Sequence, residues 1–159
     1  MEQNRQPRNP ENWKVLKTPG DSYTVMTEIV LSSHANGTGR LFGGQLMSWM
    51  DIAGAICARR HCCHEVVTAR ADCLTFHRPA RQNDMIIISA KLLWVGNTSM
   101  KIRIQAEVEP MGTDGRELIC SAYFVYVAID TDGVKCIVPR LTPADDTDRA
   151  EMAQCREES

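Results

Sequence analysis

Between Leu41 and Ala58 the chain carries one acidic residue, Asp51, in a run that otherwise reads LFGGQLMSWM before it and IAGAICA after it. A lone carboxylate is costly to bury unless it is paired or hydrogen-bonded. Gln45, Ser48 and Asp51 recur at intervals of three, which on a helix makes a narrow polar strip, so simple exposure is one reading. The other is chemistry: an acid on an apolar helix is a candidate for proton transfer. Two turns upstream stand Gly43 and Gly44. A glycine pair at a helix start frees backbone N–H groups and lets another group approach closely. The partial positive charge there suits a developing oxyanion, although a tight helix entry with no ligand is the commoner use of such a pair. In the preceding loop, His34-Ala35-Asn36-Gly37-Thr38-Gly39, Asn36 is either a left-handed turn residue or an amide that polarises a carbonyl.

These groups need elements to hold them. Leu41–Arg60 reads as one long helix, apolar on nearly every side, so it should be enclosed by a sheet and by a partner. Ser22–Leu31, Glu65–Phe76, Met85–Trp94, Ser99–Val108 and Leu118–Ile129 read as strands, with Val134–Val138 a short extension. Their connections are short and turn-rich: HRPARQND, VGNT, PMGTDGRE and DTDG. A strand, a helix and then a run of strands argue for an α+β fold, one helix against an antiparallel sheet. Residues 1–19 read as a flexible arm, 20–132 as the domain, and 133–159 as an extension and polar tail, frayed, with room for one short helix.

With 159 residues the chain suits a single domain that needs no metal or disulfide to fold. Lys+Arg is 18 against 20 Asp+Glu, a net charge of −2, which gives no bulk attraction for nucleic acid. No apolar run approaches a membrane span. Seven cysteines, an odd count, and a polar N-terminus suit free thiols in a reducing cytoplasm.

Other chemistries fit poorly. His61-Cys62-Cys63-His64 suggests zinc, but four consecutive residues do not wrap one tetrahedral ion, and no metal site is expected. Cys57 sits among apolar residues, where cysteine is an inert filler. There is no Gly-x-Ser-x-Gly elbow, and Ser99 and Ser121 read as strand residues.

The stretch NGTGRLFGGQLMSWMDIAGA (Asn36–Ala55) resembles the signature region of hotdog-fold acyl-CoA thioesterases, both the single-domain bacterial group and the halves of tandem-domain cytosolic animal enzymes. The likeness continues through EVVTAR (Glu65–Arg70), FHRPA (Phe76–Ala80), NDM (Asn83–Met85) and VGNTSM (Val95–Met100). It departs at His34, Asn83 and Asn97, where the family commonly has an acid, a glycine and an arginine. The resemblance implies a long helix wrapped by a five- or six-stranded antiparallel sheet, paired into dimers that assemble further as dimers or trimers of dimers. It implies hydrolysis of acyl-CoA with no cofactor beyond the CoA of the substrate. Asp51 of one subunit would be general base or nucleophile, Asn36 of the other would flank the thioester, and a backbone N–H of Gly43 or Gly44 would meet the oxyanion. Arg78, Arg81, Thr98 and Ser99 are candidates to touch CoA. An acyl-thioester dehydratase and a non-catalytic acyl-CoA binding module are the rival readings.

Overall fold

The computed structural model describes residues 7–158. Helix α1 spans Gly43–Cys62. It starts two residues later than expected because Phe42 is extended and the amides of Leu41 and Phe42 are already bonded to the carbonyls of Ala80 and His34. It ends where Cys63 turns left-handed (φ 58°) and donates its N–H to the Arg59 carbonyl, 2.8 Å away. Leu46, Trp49, Met50, Ala53, Cys57 and Ala58 face the sheet and are buried. Ile52, by contrast, is 46% exposed, so within one chain α1 has a covered and an uncovered side.

The strands are β1 (Leu16–Lys17), β2 (Thr24–Ile29), β3 (Glu65–Phe76), β4 (Met85–Val95), β5 (Ser99–Glu109), β6 (Glu117–Ile129) and β7 (Arg140–Leu141). Five of them form one antiparallel sheet in the order β2-β4-β5-β6-β3. Alternate residues of its central strands turn onto α1: Ile86, Ile88 and Leu92 from β4, Met100, Ile102 and Ile104 from β5, Phe124 and Tyr126 from β6. The expected bounds of β3 hold, and β4, β5 and β6 differ by one residue. β2 is two residues shorter at each end. The expected extension Val134–Val138 is not a strand. Its Lys135 and Cys136 form only isolated bridges, because the Asp130 carboxylate ties the Asp132 and Val134 amides into a turn.

The arm expected over 1–19 is held down wherever it is described. β1 runs parallel to β7, and Arg8 bridges Cys136. Lys17 Nζ donates to the His61 carbonyl (2.7 Å) and Asn12 Nδ2 to that of Cys62 (3.0 Å), satisfying carbonyls at the end of α1. Residues 1–6 lie outside the described residues.

The tail is not frayed where it is described, and the short helix for which the sequence left room is present. Helix α2, Asp146–Glu157, follows an Asp145 cap and lies on the sheet face away from α1. Met152 and Cys155 pack with Leu93 and Tyr123. Lys91 pairs with Asp148 at 2.8 Å and with Glu151, which also takes Arg103 at 2.8 Å. Burial works against both carboxylates, yet the Lys91 ammonium, joined at Glu151 by Arg103, holds them below the usual carboxylate range. A depressed folded-state value stabilises above the unfolded one and is lost as pH falls. We therefore expect the urea midpoint to drop as pH is lowered through and below the ordinary Asp/Glu range, and to drop less in Lys91→Met.

Candidate functional site

Asp51 lies midway along α1, half-buried where the helix passes the edge strand β3. Its Oδ1 accepts two hydroxyl hydrogen bonds, from Thr68 Oγ1 at 2.7 Å and from the Tyr126 hydroxyl at 3.0 Å. The same hydroxyl reaches the Asp51 backbone carbonyl at 2.9 Å. Thr68 on β3 and Tyr126 on β6 are register partners, so one row of the sheet presents both donors to the acid. A β-bulge follows Thr68 immediately and breaks the pairing before Arg70. Both side-chain hydrogen bonds fall on Oδ1, and Oδ2 has no hydrogen-bond partner among the described residues.

The Tyr126 ring is fully buried between helix and sheet. Burial, followed by the nearby Asp51 charge, pushes its hydroxyl far above the ordinary tyrosine range. It is a permanent donor. It comes this close because position 54 is glycine: a Cβ there would lie 2.2 Å from the Tyr126 oxygen and 2.6 Å from Ile104 Cδ1.

At the start of α1, Phe42 supplies no side-chain cap, and the first bonds to its carbonyl come from Gln45 and Leu46. The N–H groups of Gly43 and Gly44 therefore have no hydrogen-bond partner among the described residues. Beside Gly43 opens a cleft of about 420 Å³ lined by Leu41, Leu46, Phe76, Ile119 and Arg78.

Asn36 is exposed, and it is not the left-handed residue of its loop. Gly39 takes that position (φ 74°). Asn36 Oδ1 instead accepts from Thr38 N (3.0 Å), Thr38 Oγ1 (2.7 Å) and Arg40 N (3.2 Å). With its oxygen so fixed, the Nδ2 donor faces outward. No hydrogen bond joins Asn36 to Asp51 among the described residues.

Arg78 pairs with Glu117 at 2.9 Å on the rim of the cleft. Arg81 bridges Arg40 through backbone and exposes its guanidinium. Thr98 and Ser99 serve the β4–β5 turn: their carbonyls accept from Ala128 and Gly96 at 3.0 and 2.8 Å. The departure at Asn83 has a backbone cause. Its φ is 73°, and asparagine tolerates that region best after glycine. His34 Nδ1 accepts from Leu31 N, and its ring meets Trp49 edge-on at 5.0 Å.

The His61–His64 segment separates in space. His61 is buried, donates from Nε2 to the Pro139 carbonyl at 2.9 Å, and is kept neutral chiefly by burial. Cys63 is exposed beyond the helix end. Among the described residues no three His, Cys, Asp or Glu side chains cluster to hold a metal. All seven cysteines are free thiols, and burial pushes Cys57 up to about 11. No described helix is long and apolar enough to cross a membrane.

The profile of the thioesterase superfamily matches residues 38–114, a span that includes Gly43, Gly44, Asp51 and Thr68. Over 123 residues the chain is 37% identical to the uncharacterized acyl-CoA thioester hydrolase YkhA of Bacillus subtilis, covering 77% of this chain and 72% of that one. A solved acyl-CoA hydrolase of Staphylococcus aureus, in complex with butyryl coenzyme A, coenzyme A and coenzyme A disulfide, has a TM-score of 0.84 at 26% identity over 91% of this chain and 88% of that one. Variants of that hydrolase with one asparagine, one aspartate or one threonine changed to alanine match equally well. The asparagine precedes the aspartate by 15 positions and the threonine follows it by 17. The hexameric thioesterase y2039 of Yersinia pestis has a TM-score of 0.69 at 34% identity, over 73% of this chain and 94% of that one. One long helix laid in a five-stranded antiparallel sheet, with these relatives, defines a hotdog-fold thioesterase. The chain belongs to the acyl-CoA thioester hydrolase family.

Sequence reasoning missed Thr68 and Tyr126. Thr68 was within reach, since it stands in the EVVTAR segment. The signal for Tyr126 was indirect: a glycine inside a helix, flanked by alanines, costs about 1 kcal/mol against alanine unless a close approach requires it. We expect Gly54→Ala to cost roughly 1–3 kcal/mol through overpacking, read as a fall of several degrees in Tm while secondary structure is retained.

Proposed function

We propose that this chain hydrolyses acyl-CoA thioesters at a site shared between two subunits, with Asp51 of one as general base or nucleophile and Asn36 of the other positioning the thioester. The observation that carries it is the Asp51 carboxylate, held at Oδ1 by two hydroxyls with Oδ2 left to react. As base, Oδ2 takes a proton from water, whose oxygen adds to the thioester carbon. The C–S bond then breaks and the thiolate of CoA takes the proton back from Asp51. The oxyanion formed on the way is met by the backbone N–H of Gly43 or Gly44 and by the outward Asn36 amide.

Within one chain these groups are too far apart. Gly43 to Asp51 spans eight residues of helix, about 12 Å of rise, whereas a thioester carbon must sit within hydrogen-bond reach of both. A two-fold partner brings its own helix start to the first subunit's acid. Exposed Ile52, Val67, Phe42 and Phe76 lie on α1, on the edge strand β3 or next to them, where such a partner would cover them. The spacings of 15 and 17 in the Staphylococcus aureus variants are those from Asn36 to Asp51 and from Asp51 to Thr68 here, which supports the same roles. The hexameric relative supports further assembly of dimers, as dimers or trimers of dimers. Arg78 and Arg81 are offered as contacts for the CoA phosphates, Thr98 and Ser99 for its pantetheine arm or nucleotide. No metal or added cofactor enters the scheme, and seven free thiols suit the cytoplasm.

Release of free CoA, followed with a thiol reagent, separates hydrolysis from hydration and from binding alone. Asp51→Ala should lower kcat by about 10²–10⁴ while the protein still binds acyl-CoA. Activity near wild type would remove Asp51 from the mechanism. Mixing Asn36→Ala with Asp51→Ala subunits, once exchange is verified with two tags, should restore turnover, because each mixed dimer then holds one intact site. Inactive mixed dimers would place both residues in one chain.

A further inference from the structure

We infer that Tyr126 is a positioning residue for the reaction: its hydroxyl, admitted to α1 by the notch at Gly54, locks the Asp51 carboxylate so that Oδ2 alone faces the substrate. The inference rests on the proposed role of Asp51.

One hydroxyl proton is offered to two acceptors on the same residue, the Asp51 carbonyl at 2.9 Å and Oδ1 at 3.0 Å. It therefore ties the side chain to the helix backbone and limits rotation of the carboxylate about χ2. Thr68 Oγ1 closes the arrangement from the other side, 2.7 Å from Oδ1. An ordinary core tyrosine at this position would need one partner for its hydroxyl, and the carbonyl would suffice. Holding the carboxylate as well gives directional control, since a general base needs a set line to its proton. The cost accepted for this contact is visible at Gly54, where any side chain would strike the Tyr126 oxygen.

The titratable groups acting on the hydroxyl are Asp51 and Cys57, both on α1. Cys57 is buried and neutral over the working range. Met100 and Thr68, the register neighbours on β5 and β3, carry no charge. Further along β3, Arg70 and Asp72 pair with each other at 2.7 Å. Changes at the Tyr126 donor are read on the acid limb of the pH–rate profile. Removing a donor favours the protonated acid and moves that limb to higher pH. Strengthening the donor moves it to lower pH.

The test compares Tyr126→Phe, 3-fluorotyrosine incorporated at position 126, and Asp51→Asn in the full-length protein, with CoA release measured from one saturated acyl-CoA over about pH 5 to 9. Tyr126→Phe removes one oxygen and keeps the ring stacked on Phe124, whose centroid is 6.3 Å away. We expect its kcat to fall roughly 10- to 100-fold with KM little changed, as misplacement of a catalytic group does, and its acid limb to move up. The fluorinated tyrosine keeps the shape, donates more strongly, and should move the limb down. A residue that serves packing alone would move it in neither case. If Asp51→Asn is inactive while both Tyr126 variants keep the wild-type kcat and profile, the positioning role is wrong and the role of Asp51 stands. If Asp51→Asn hydrolyses acyl-CoA at the wild-type rate, the role of Asp51 fails and this inference fails with it.

Discussion

The distance between α1 and the sheet at Gly54 governs much of what surrounds it. There the helix backbone comes close enough for a tyrosine hydroxyl on β6 to reach a helix carbonyl and the acid beside it. A methyl group at position 54 would push the two layers apart or force the ring aside. The inward residues of β4, β5 and β6 have to suit that spacing, and they mix alanines with larger apolar side chains. Ala106, Ala122 and Ala128, small residues on these strands, are fully or almost fully buried. A close-packed interior transmits such a constraint because it has little free volume to absorb a change.

From that contact the position of the acid follows. Asp51 stays at the margin of the core, half-buried, with one oxygen turned toward hydroxyl donors. Full burial would have required a charged partner, and full exposure would have left the carboxylate solvated and free to rotate. Placement on the margin also means that the substrate side is open in a single chain. β3 has a pairing partner on one edge only, and the outward side of α1 keeps Ile52 uncovered. The site and the incomplete surface are the same region of the molecule.

Much of this was legible in the sequence, and the misses have physical reasons. The strands announced themselves by alternation and by turn residues, and β3 came out with its bounds intact. The start of α1 did not, because the amides of Leu41 and Phe42 are bonded across the fold, to Ala80 and His34, and no local pattern records that. Asp51 and the glycine pair stood out as exceptions to their surroundings. Tyr126 did not, since a tyrosine in an alternating apolar strand reads as core and its partner is 75 residues away. Helix α2 was anticipated only as room for a short helix, because its polarity conceals what it packs on. What holds it is Met152 and Cys155, three apart, with ion pairs to Lys91 and Arg103 on distant strands.

The pairing of the two ends of the chain has a consequence in time. Arg8 reaches Asp132 across 124 residues, and β1 lies against β7 at the same separation. Contacts that distant form late, because the intervening loop must close before they return any energy. During synthesis the first strand therefore waits while helix and sheet are made, and finds its neighbour only when most of the chain exists. Lys17 and Asn12, which cover the last carbonyls of α1, belong to that waiting segment. The far end of the helix that carries Asp51 is thus closed last, and a chain cut short before β7 has no strand with which to seat the cap.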